Sequence, residues 1–153
     1  MDVQPAIPPD ALKGARVIVC CEDEFDTKQI DRVLEIGGMY NLGHAADGRA
    51  AIHLALMKRP DIAILEGRLP YHNGILTGRM IRQAFPACIV LLASRTDYDL
   101  RIAADSSDMH CVVKPIDPVE FLHNLGDAYS QFLTTCAESS GPFIDWSSIV
   151  TAT

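Results

Sequence analysis

Four side chains in this sequence have types and positions that could do chemistry together. Glu22 and Asp23 follow the apolar run Val17-Ile18-Val19-Cys20-Cys21, Glu66 follows Ile62-Ala63-Ile64-Leu65, and Lys114 follows Cys111-Val112-Val113. Short continuous apolar runs read as strands covered on both faces, so each charged residue is delivered to a strand's carboxyl end. In an open parallel sheet that edge is where sites are built. Carboxylates brought there from neighbouring strands repel one another and need a cation. Mg²⁺ held by one or two carboxylates with waters is one answer, and the Lys114 ammonium is another. The plain alternative is that acidic residues at strand ends are simply solvated. Other chemistry is poorly supported. No Gly-rich phosphate loop follows the first strand, no nucleophile-and-base pair is evident, and His44, His53, His72, His110 and His123 are scattered as surface or turn residues would be. A small enzyme or a flavin-binding protein therefore has little to stand on, and the chain is expected not to be an enzyme.

The elements that must position these residues alternate regularly. After the first strand, Asp26 reads as the N-cap of a helix with Ile30, Val33 and Leu34 on one face, stopped by Gly37-Gly38. Tyr40 to Ala46 is a weaker strand, and Asp47-Gly48 opens a helix with Ile52, Ala55 and Leu56 on its inner side, ended by Pro60. Beyond Glu66, the loop through Pro70, Tyr71, His72 and Asn73 leads into a helix from Gly74 to about Phe85, with Leu76, Met80 and Ile81 inward. Cys88 to Ala93 is a buried strand, Thr96 to Ser107 a less apolar helix, and Cys111 to Pro115 a last short strand. Asp117-Pro118 starts a helix in which Leu122, Leu125, Tyr129, Phe132, Leu133 and Cys136 keep helical spacing. Five strands alternating with five helices predict an α/β fold with a doubly wound, five-stranded parallel sheet in a three-layer sandwich.

Composition bounds the class. A chain of 153 residues, 48% apolar and 22% charged, is of single-domain size and can bury a real core. Its formal net charge of −7, with no concentration of basic residues, argues against nucleic acid as a partner. The longest apolar run, Ala87 to Ala93, is strand-sized, so no membrane span is expected. The acidic, proline-rich start does not resemble a secretory signal, and the protein is expected to be cytoplasmic. Five cysteines in an odd count, mostly in strand-like runs, suit buried reduced thiols. The expected division is a mobile leader over 1–14, a folded domain over 15–137 and a tail over 138–153 carrying Phe143, Ile144 and Trp146.

Several motifs occur in an order that resembles the receiver domain of two-component response regulators, over about Arg16 to Tyr129. They are the apolar strand ending in Glu22-Asp23-Glu24, Ala46-Asp47-Gly48 with Ala50-Ala51-Ile52, Pro60-Asp61 before the third strand, the loop from Pro70 to Gly74, and Lys114-Pro115. The resemblance implies a flavodoxin-like fold. It implies further that Glu66 stands where the family has its phosphate-accepting aspartate. Glu22, Asp23, Glu66 and Arg68 then form the acidic pocket that can take a metal, and Lys114 with Pro115 holds the lysine that neutralises a phosphoryl group.

Three departures weigh on function. Glu66 is one methylene longer than the aspartate it replaces. The family's switch Thr or Ser falls on Ala93, with Ser94 next door but turned to the opposite face by strand alternation. The aromatic three residues before the lysine falls on Cys111. The reading that follows is a pseudo-receiver: a phosphorelay signalling module that binds a protein partner, a histidine kinase or an output protein, without phosphorylation. No cofactor is required and Mg²⁺ binding is expected to be weak. A working receiver that takes phosphate from a histidine kinase with Mg²⁺ is the alternative. By resemblance, homodimerisation and output would use the fourth helix, fifth strand and fifth helix, a face including Tyr98, Arg101, His110 and the helix from Val119 onward. The tail is a candidate to pack over that face.

Overall fold

The computed structural model describes residues 11–69 and 73–139. The expected leader lies almost wholly outside these residues, as do Pro70, Tyr71, His72 and the tail from 140 onward. The elements run β1 (Arg16–Cys20), α1 (Glu24–Ile36), β2 (Tyr40–Ala45), α2 (Gly48–Lys58), β3 (Ile62–Glu66), α3 (Gly74–Ala84), β4 (Cys88–Ala93), α4 (Tyr98–Ser106), β5 (His110–Val113) and α5 (Pro118–Ser139). All strand pairs are parallel and the order is β2-β1-β3-β4-β5. The chain therefore reverses direction between β1 and β3, the switch point where ligands bind in such sheets.

Period-two alternation divides the core in two. Val17, Val19, Ile62, Ile64, Val90 and Leu92 face α1 and α5 and pack with Ile30, Val33, Leu34, Phe121 and Leu125. Ile18, Cys20, Ala63, Leu65, Ile89 and Leu91 face the other way, with Ala51 and Ala55 of α2, Ile75 and Ile81 of α3, and Leu100 and Ala104 of α4. Because β1, β3 and β4 are covered on both faces, their sequences are continuous apolar runs. Edge strand β2 is half exposed and carries a bulge, its register against β1 jumping from Val17↔Asn41 to Ile18↔Gly43. Gly43 has φ +149°, a backbone that side-chain-bearing residues rarely adopt.

Several sequence expectations are corrected at the level of faces and caps. Asp23, not Asp26, is the N-cap of α1; its carboxylate accepts from the N–H groups of Phe25 and Asp26. On α2, Ala55 is buried and Ile52 packs against the same core as expected, but Ala51 joins them and Leu56 is half exposed. On α3 the buried face is Ile75, Gly78 and Ile81, while Leu76 and Met80 are exposed. Here the cause is visible: a Cβ on Gly78 would sit 2.8 Å from Ile89 Cγ2 and 2.9 Å from Met109 Cε, so the helix lies down on the sheet along its glycine. Of the five free cysteines, Cys20 and Cys88 are buried as expected, but Cys21, Cys111 and Cys136 are only partly so. Helix α5 runs two residues beyond the expected domain end, to Ser139.

Candidate functional site

Strand β3 delivers Glu66 to the carboxyl edge, where it meets residues of two other segments. Lys114, just past β5, places Nζ 2.8 Å from Glu66 Oε2 and 3.3 Å from Asp26 Oδ2. Cys21, just past β1, donates its thiol to Glu66 Oε1 at 3.4 Å. Both carboxylate side chains are 13% exposed and the lysine 25%, so the group is largely withdrawn from water. Burial disfavours the Lys114 ammonium, yet the hydrogen bonds and charges of Glu66 and Asp26 outweigh it and raise its pKa. Burial pushes the Cys21 thiol up to about 11, with Glu66 adding to the effect against the hydrogen bonds from Thr27 and Asp23. Cys21 is therefore a neutral donor at neutral pH.

This membership differs from the sequence expectation. Among the described residues, the one group of three whose possible ligand atoms come within 4.8 Å of one another is Cys21, Asp26 and Glu66. Glu22 and Asp23 are exposed and lie outside it, and the Asp23 carboxylate is engaged in capping α1. The reason is that β1 ends at Cys20 and α1 begins at Glu24, which turns the third helical residue, Asp26, toward Lys114. Arg68 also leaves the pocket. Its guanidinium makes two 2.7 Å hydrogen bonds to Asp97, whose carboxylate also accepts from Leu100 N–H at the start of α4. The Arg68 hydrogen bonds hold the Asp97 carboxyl below its ordinary pKa.

A family model described as "Response regulator receiver domain" matches residues 17–125. The chain belongs to this family. Among curated proteins it is similar to the transcriptional regulatory protein PdtaR of Mycobacterium tuberculosis, 28% identical over 84% of this chain and 63% of that protein. It is also similar to a protein-glutamate methylesterase/protein-glutamine glutaminase of Haloarcula marismortui, 26% identical over 65% of this chain and 27% of that protein. The chain thus spans less than two thirds of either relative's length. Among solved structures, the signal receiver domain of the response regulator NarL from Mycobacterium tuberculosis superposes with a TM-score of 0.71 at 22% identity, over 77% of this chain and 98% of that one. The fold is the flavodoxin-like receiver fold, and no described helix is long and apolar enough to cross a membrane.

Ala93 is buried at the end of β4 and carries no hydroxyl; its carbonyl accepts from Lys114 N–H at 2.8 Å. Ser94 is exposed, and its Oγ lies 3.5 Å from Thr96 Oγ1. Cys111 is half-buried against the α4-side core, where burial raises its pKa. Pro115 follows Lys114 through a cis peptide bond. The residues at the pocket do not fit Mg²⁺ well. That ion takes oxygen ligands in near-octahedral geometry, whereas this group offers two carboxylates already balanced by an ammonium, beside a protonated thiol.

Asp26, Cys21 and Asp97 were not singled out from sequence as site residues. For Asp26 a signal existed: Asp23-Glu24-Phe25-Asp26 has the spacing of an N-cap followed by an acidic third helical residue. For the Arg68–Asp97 pair there was none, because 29 positions separate the partners.

Proposed function

We propose that this receiver domain signals without taking a phosphoryl group, as a protein-binding module held in one charge state by its own residues. The observation that carries this reading is the 2.8 Å contact between Lys114 Nζ and Glu66 Oε2. Phosphoryl transfer depends on positioning and on cations free to stabilise charge as it develops. Here the lysine's charge is already matched by Glu66 and Asp26, and the Glu66 carboxylate is occupied on both oxygens, by Lys114 and by the Cys21 thiol. Ala93 and Cys111 supply neither a hydroxyl nor a ring that could report a change at the pocket. A two-state element that no ligand biases stays in one state, so binding to a histidine kinase or an output protein is constitutive and set by concentration.

The test is intact mass of the full chain after incubation with acetyl phosphate and Mg²⁺. An unchanged mass is expected. Addition of one phosphoryl group that maps to Glu66 overturns the reading and makes this a working receiver.

A further inference from the structure

The sheet leaves the outer sides of both edge strands, β2 and β5, open, and at β5 the open side borders a groove. In the order β2-β1-β3-β4-β5, strand β5 has a neighbour only in β4. Lys114 N–H donates to the Ala93 carbonyl, and backbone direction alternates along a strand, so His110 and Val112 also turn toward β4. Cys111 and Val113 therefore point their N–H and C=O groups outward. Among the described residues, none hydrogen-bonds to those four groups. Unpaired strand edges of this kind are templates for another strand.

The edge forms the floor of a groove of about 580 Å³ whose far wall is α5. That wall carries Asp117, Glu120 and Asp127, all exposed. Asp127 pairs with His123 at 3.6 Å and acts electrostatically on His110, whose own burial lowers its pKa. Of the two cations lining the groove, Lys114 is already held by Glu66 and Asp26, which leaves Arg95 against three carboxylates. A second copy of this chain would bring the same three carboxylates and a further net charge of −7, and is repelled.

We propose that the open edge of β5 accepts an extended segment of a partner protein as a sixth strand, with Lys or Arg side chains of that segment facing Asp117, Glu120 and Asp127. Main-chain hydrogen bonds to Cys111 and Val113 supply affinity, and the acidic wall selects a basic segment. This deepens the reading of the domain as a constitutive protein-binding module and rests on it.

The experiment measures fluorescence anisotropy of full-length protein with three labelled octapeptides: alternating Lys and Val, alternating Glu and Val, and the Lys/Val peptide with N-methylated backbone. The basic peptide is expected to bind, with affinity falling as salt rises. The acidic and N-methylated peptides should each bind at least tenfold more weakly. Glu120→Lys with Asp127→Lys should weaken the basic peptide tenfold while leaving the urea midpoint within error, and amide shifts on titration should centre on Cys111 and Val113. No binding of the basic peptide, equal binding of the acidic or N-methylated one, shifts centred elsewhere, or self-association of the protein through β5 overturns the proposal. Repeating the titration after acetyl phosphate treatment separates the two ideas. A changed affinity for the basic peptide speaks against phosphate independence and leaves the edge intact, whereas loss of the N-methylation effect speaks against the edge alone.

Discussion

Replacing Lys114 by methionine keeps a long unbranched stem and removes only the ammonium. What remains is Glu66 and Asp26, each 13% exposed, with no cation between them. At 2.8 Å the Lys114–Glu66 attraction is about 6 kcal/mol for an effective dielectric constant of about 20, much of it offset by desolvation of both charges. Exposed pairs contribute about 0–1 kcal/mol, and breaking a fully buried pair costs about 3–5 kcal/mol. A lysine that is 25% exposed between carboxylates at 13% lies between these limits, so Lys114→Met should lose about 2 kcal/mol in urea denaturation at pH 7. Adding Glu66→Gln should recover about half of that loss, because it removes one of the stranded charges. The pH dependence has a definite sign. The folded-state pKa of Lys114 is raised, so its contribution is fully present below the unfolded value of about 10.4 and is lost as pH climbs through the higher folded value. The gap between wild type and Lys114→Met should therefore hold through neutrality and close in strong alkali. A loss below about 0.5 kcal/mol, the size of a surface pair, or no recovery in the double variant, would refute the reasoning.

Three further outcomes are expected. Gly74→Ala should destabilise by about 2 kcal/mol or more, because the added Cβ would meet the Glu66 carbonyl oxygen at 2.6 Å and Gly67 Cα at 3.0 Å; the urea midpoint reports it. Asp23→Ala should cost about 1 kcal/mol and fray α1, seen as faster hydrogen exchange of the Phe25 and Asp26 amides that the carboxylate caps. Cys21 should alkylate slowly at pH 8 and faster as pH rises toward its pKa of about 11, a profile that iodoacetamide labelling followed by peptide mass spectrometry can trace; rapid labelling at neutral pH would show the thiol is not held against Glu66.

The fold was legible because β1, β3 and β4 are buried on both faces and so write runs of four or more consecutive apolar residues bounded by turn signals. Edge strand β2 was faint because its pattern is mostly exposed. Helix faces were read less well where small residues do the packing: Ala51 and Gly78 pack inward, while the larger Leu56, Leu76 and Met80, which hydrophobicity would place inward, lie outside. At the site, Glu66 and Lys114 were found because strand ends announce themselves. Asp26 was misplaced because a shift of three residues in the start of α1 exchanges the roles of cap and ligand between Asp23 and Asp26. Arg68 was placed in the pocket by the resemblance, but its partner is Asp97, brought in after the end of β4 as the cap of α4, which only the folded chain reveals.

The Arg68–Asp97 bridge has a mechanical meaning. One carboxylate both caps α4 and clasps the segment leaving Glu66, so the loop after β3 and the first turn of α4 behave as a braced joint. Sliding α4 along the sheet by one turn requires breaking two 2.7 Å hydrogen bonds and uncapping the helix in the same movement. Arg68→Ala releases the strut while leaving the Asp97 cap in place, and is the substitution with which to begin building a movable α4.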